Sequence, residues 1–122
     1  MGAQIIRLGL RINYTAPSDI DYGDVVVQGD LVGIATRDIK SGEVGRIALA
    51  GLFGIVKDTG VGTAINAGTK VYWDANSKVA TASDGGGLNK FLGVSTRDAQ
   101  DGDRFVRVLM GGGVLAAAGA EG

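Results

Sequence analysis

The sequence predicts an all-β fold, a small glycine-rich barrel or sandwich of about nine short strands followed by a flexible C-terminal tail. Three observations carry this expectation. Glycine is abundant and dispersed, 22 residues against a single proline in a chain of 122. Between the glycines lie short runs rich in valine, isoleucine and aromatic residues, at the spacing typical of sandwiches and barrels. No window shows the 3.6-residue apolar period of an amphipathic helix.

The first strand is the segment that opens the chain. Ile6, Leu8, Leu10, Ile12 and Tyr14 fall on one face at period two, and Arg7, Gly9, Arg11 and Asn13 fall on the other. An apolar face of that length must be covered, either by the domain's own sheet or by a partner. Further strands are expected at residues 24–28, 31–35, 45–49, 52–57, 70–73, 79–81, 91–95 and 104–110. Residues 1–14 thus form an arm or a first strand, 15–110 a single β domain, and 111–122 a tail. The tail, GGGVLAAAGAEG, is small, glycine-rich and terminal, so disorder is expected of it in a free monomer.

The chain repeats itself. Residues 30–51, DLVGIATRDIKSGEVGRIALAG, align without a gap on residues 90–111, KFLGVSTRDAQDGDRFVRVLMG. Gly33/Gly93, Thr36/Thr96, Arg37/Arg97, Asp38/Asp98, Gly42/Gly102 and Gly51/Gly111 are shared. A looser unit, a polar turn with a central glycine feeding a strand, recurs around Gly23, Gly42, Gly68 and Gly102, where a positive φ is expected. The Thr-Arg-Asp triplet lies where each repeat turns. Its arginine could fork onto an anion, but its threonine and aspartate suit bonding to the turn backbone, which is the simpler reading.

The composition argues against most chemistry. With no cysteine and no histidine, disulfides, thiolate metal sites and the common catalytic triads are all excluded. The five lysines, Lys40, Lys57, Lys70, Lys78 and Lys90, lie in or beside polar turns and are expected to be solvated. No catalytic, cofactor-binding or metal site is expected, and no cofactor. Twelve basic and 13 acidic residues leave a formal charge of −1, with no footprint for nucleic acid or an anionic membrane. No apolar run approaches a membrane span and no secretory signal is evident, so synthesis in a cytoplasm is expected. GTAINAGTK at residues 62–70 has the wrong spacing for a phosphate loop, and DIDYGD at 19–24 lacks the full calcium-loop pattern. Tyr72 and Trp73 must point to opposite faces of one strand, so one can serve the core and the other an oligomer contact.

NYTAP (13–17), GDVVVQGDLVGIA (23–35), DIKSGEVGRIALAGLFGIVK (38–57), INAGTKVYWDANSKVAT (65–81) and FLGVSTRDAQDGDRFVRVLM (91–110), in that order, resemble the capsid cement or head decoration proteins of tailed bacteriophages. The resemblance covers most of the chain and lies in the succession of segments, since none is a chemical motif. It implies a non-enzymatic virion protein on the capsid exterior that locks neighbouring major capsid protein subunits together. Such proteins often act as homotrimers at threefold or quasi-threefold positions. In that setting the opening segment becomes an arm for a capsid subunit or a neighbouring copy, through Gln4, Ile6, Arg7, Leu8, Leu10, Arg11, Ile12, Tyr14 and Pro17. The alternative is a carbohydrate or host-surface binding module displayed on the particle.

Overall fold

Tight turns set the frame of the molecule, whose computed structural model describes residues 11–111. Asp21–Asp24, Lys40–Glu43 and Asn66–Thr69 are four-residue turns closed by a backbone bond from the last N–H to the first carbonyl, at 3.0, 2.9 and 3.3 Å. Their third residues, Gly23, Gly42 and Gly68, have φ of 86°, 84° and 81°, a region costly to any side chain. The fourth turn departs from expectation. Gln100–Asp103 closes in the same way at 3.1 Å, yet Gly102 does not enter the positive-φ region. The reason lies in the central peptide, whose orientation separates the two common turn types. Here the Asp101 carbonyl is held by the Gly60 N–H at 2.9 Å and the Thr63 hydroxyl at 3.1 Å.

Between the turns run nine strands: β1 (Arg11–Thr15), β2 (Val25–Gln28), β3 (Leu31–Ala35), β4 (Val44–Ala48), β5 (Gly51–Val56), β6 (Lys70–Asp74), β7 (Val79–Thr81), β8 (Lys90–Ser95) and β9 (Phe105–Met110). The protein is all-β, with a single 3₁₀ turn at Gly85–Gly87 among the described residues. β1 confirms a strand for the inner part of the opening alternation, while residues 1–10 and the tail from 112 lie outside the described residues.

The strands form two antiparallel sheets, ordered β1-β4-β3-β2 and β5-β9-β8-β6-β7. Read against each other, these orders match strand for strand, with β7 as an addition to the second. The repeated segments are β3-turn-β4 and β8-turn-β9, so the likeness between the two halves extends beyond them to β1/β5 and β2/β6. The ungapped alignment nevertheless slips in its last part. Ile34 pairs with Ala48, whereas the matching Val94 pairs with Leu109 and not with Val108. One additional residue, Arg104, separates the second turn from its strand, and its carbonyl is bonded by the Lys57 N–H at 2.8 Å. Gly51 and Gly111 are therefore not equivalent in space.

Each sheet buries one face against its own turns. Ala16, Ile20, Val26, Ala35, Ile39 and Ile47 form one cluster, against which Ile12 and Tyr14 of β1 pack. The larger cluster joins the sheets: Val32 and Ile34 of β3 meet Leu92, Trp73, Val106, Val108 and Met110. A parallel bridge between Lys57 and Ala80 draws the end of β5 to β7, curling the second sheet into a half-barrel.

Candidate functional site

The two sheets leave an open groove of about 600 Å³ between them. One wall is Tyr14 and the β1 exit, Pro17, Ser18, Asp19 and Ile20, together with Val25, Val26 and Val27 of β2. The other is Gly54, Ile55 and Val56 of β5, Phe105 of β9, and Trp73, Ala75 and Lys78 of the β6-β7 hairpin. Three expected interface residues, Tyr14, Pro17 and Trp73, thus meet in one place.

The remaining expected residues are dispersed. Gln4, Ile6, Arg7, Leu8 and Leu10 lie outside the described residues. Ile12 points into the smaller core cluster, and Arg11 lies on the exposed face of β1. Trp73 is 9 % exposed and belongs to the core, while Tyr72, half-buried, meets Phe91 edge-on with ring centroids 5.7 Å apart. The strand alternation separates the two aromatic rings as expected.

Sequence reasoning missed three features. Val56 and Phe105 are direct cross-strand partners, 37 % and 59 % exposed, and form an apolar rim to the groove. VVVQ in β2 has apolar residues facing both ways: Val26 enters the smaller cluster, while Val25 and Val27 pack on the larger one. Its unbroken apolar run was the available signal, since such a run marks burial on both faces. The third miss corrects an expectation. Lys57 is 3 % exposed and not solvated; it occupies in the second half the place that buried Ala16 holds in the first. Its ammonium donates to the Asp58 carbonyl at 2.8 Å and the Thr63 hydroxyl at 3.3 Å, so it serves as a strut for the loop it begins.

Polar side chains around the groove are occupied with the backbone. The Asp19 carboxylate accepts from the Ser41 N–H and that of Asp24 from the Asp21 N–H, each at 2.9 Å. The Asp38 and Asp98 carboxylates of the repeated triplet accept from Tyr22 and Ala67 N–H groups, each at 2.8 Å, so these aspartates hold turns together. Among the described residues no cluster of three metal-ligating side chains occurs. The Asp30 carboxyl is held below its ordinary value by a hydrogen bond from Lys90 and by that ammonium's charge. The groove combines apolar side chains of both sheets with the polar Ser18, Asp19, Asp24 and Lys78.

Among the described residues no helix is long and apolar enough to cross a membrane. No curated protein and no solved structure matches the chain. A family model described as phage cement protein matches residues 6–120, which spans both sheets and the groove and reaches into both terminal segments. This protein belongs to the phage cement protein family, and its role is structural, on the capsid.

Proposed function

We propose that the protein attaches to the outer surface of an icosahedral phage head and stabilises contacts between major capsid protein subunits. The observation that carries this reading is the family match over residues 6–120. In this reading the protein is made in the host cytoplasm and joins the virion as a homotrimer, without contacting nucleic acid or membrane. The N-terminal arm, Gln4 to Leu10, and the groove beside Tyr14 and Pro17 are the contact elements, toward a capsid subunit or a neighbouring copy.

The mechanism is linkage. A protein that straddles subunits binds only when they hold the mature arrangement, so binding shifts the shell toward that state. At a hundredfold excess over the dissociation constant the shift is about 2.7 kcal/mol per site. A trimer adds avidity, because its second and third contacts are intramolecular. The alternative, a carbohydrate-binding module, would have to use the exposed rings of Tyr22, Phe91 and Phe105, since the single tryptophan is buried in the core.

The test is addition of purified protein to expanded, mature shells. Raised resistance to heat or chaotrope is the expected result, and shells equally fragile with and without it would overturn the reading. Deleting residues 1–10 should weaken attachment more than folding, since both described core clusters are built from residues 12–110.

A further inference from the structure

The second half of the molecule shows what the first half lacks. β2 and β6 are equivalent strands: each follows a glycine turn and pairs antiparallel on one side, with β3 and β8 respectively. The other edge of β6 is covered by β7, through Tyr72–Thr81, Trp73–Ala80 and Asp74–Val79. β2 passes directly to β3 through the turn at Gly29 (φ 61°), and no strand among the described residues covers its outer edge. An open edge of this kind is a template for another strand.

The groove runs along that edge. Val25, Val26 and Val27 all line it, although successive side chains of a strand point to opposite faces. A cavity that meets all three approaches the strand from its side. A partner placed there would pair with β2 as β7 pairs with β6, against the valine and isoleucine side chains of the groove and beside the Asp19 and Asp24 carboxylates, with Lys78 on the facing wall. Neither carboxylate forms a salt bridge with a lysine or arginine among the described residues.

We propose that this edge receives the segment Gln4–Leu10 of a second copy of the chain, by β-augmentation. The segment has the required chemistry: Ile6, Leu8 and Leu10 alternate with Arg7, which complements the Asp19 and Asp24 carboxylates on the β2 side of the groove. Geometry favours a second copy over the same one. The segment joins β1, at the opposite edge of the sheet from β2, about 14 Å away across three strand spacings. Both faces between those edges are already covered, one by the smaller cluster and one by the second sheet. An arm-to-edge contact is head-to-tail, so it closes into a ring when its rotation permits. The inference rests on reading residues 1–10 as an arm and gives that arm its receiving site.

The chain contains no cysteine, so introduced thiols report unambiguously. One protein would carry Ile6→Cys, Arg7→Cys or Leu8→Cys, and a second Val27→Cys. Mixed under mild oxidation without capsids, at least one pair should give a disulfide-linked dimer several-fold more abundantly than the same arm variant mixed with Thr96→Cys. Yields no higher than that control for every arm position would overturn the proposal. So would a link formed within a single chain of the Leu8→Cys/Val27→Cys double variant. As a second readout, native mass should fall to the monomer on deletion of residues 1–10, and an unchanged mass would overturn it too. Because no shell is present, the outcome is independent of capsid binding: a protein that exchanges arms but fails to protect shells refutes the cement role alone.

Discussion

Gly33 and Gly93 show how one residue governs a sheet. Each lies in the middle of a strand, at equivalent positions of β3 and β8, with no positive φ to account for it. The reason is proximity. A Cβ on Gly93 would collide with the Leu109 carbonyl oxygen and lie 3.0 Å from Val108 Cγ1. On Gly33 it would meet chiefly the end of the Ile47 side chain, at 2.8 Å, which can move aside. Gly93→Ala should therefore cost about 2–3 kcal/mol by urea denaturation, and Gly33→Ala less. Gly102→Ala, at a turn with open space and no positive φ, should stay within about 0.5 kcal/mol of the wild type. The repeat made Gly33, Gly93 and Gly102 visible in the sequence. Which of them answers a steric demand depends on the strand or carbonyl opposite, and that partner is distant along the chain.

At the scale of elements, aspartates tie turn to turn within each half. Asp38 holds the Tyr22 N–H and Asp98 the Ala67 N–H, so each triplet clamps the turn that precedes its own sheet's β2 or β6. Removing either acceptor strands a backbone donor, and Asp38→Ala or Asp98→Ala should each cost about 1 kcal/mol. The clamps lie in separate halves and share no partner, so the double variant should be additive within about 0.5 kcal/mol in the same denaturation series. The bonding role of these aspartates was legible, because short polar side chains beside a glycine turn have few other uses. Strand existence was legible too, to within a residue or two at most ends. The slip between β4 and β9 was not, since Arg104 disrupts no hydrophobic pattern and shows its effect only in cross-strand pairing. Neither was the open edge of β2, which becomes visible only when β7 is seen covering β6.

Across the whole molecule, Asp30 and Lys90 occupy matched positions of the two repeated segments and pair at 2.8 Å, tying equivalent points of the halves together. The Asp30 side chain is 99 % exposed, so solvent and salt screen the pair and its contribution is small. Its sign is defined nonetheless. The folded-state carboxyl titrates below its ordinary value of 3.8, so the stabilisation is present above that pH and is lost as pH falls through the lowered value. Asp30→Asn should leave the urea midpoint unchanged at neutral pH in physiological salt. In low salt it should show a slight deficit at neutral pH that disappears in acid, once pH has fallen through the lowered value.

The amino-acid sequence by itself determined that this protein is all-β, where its strands and turns lie, that it repeats, that it carries no histidine or cysteine for catalysis, and its resemblance to a cement protein. Those properties are local: alternation, turn chemistry and composition are written residue by residue. Only the tertiary structure decided that Trp73 and Lys57 are buried, that Tyr14, Pro17 and Trp73 share a groove, and that β2 lacks the neighbour β6 has. Each of these depends on which strands lie side by side, a choice made by long-range packing and invisible to any window along the chain.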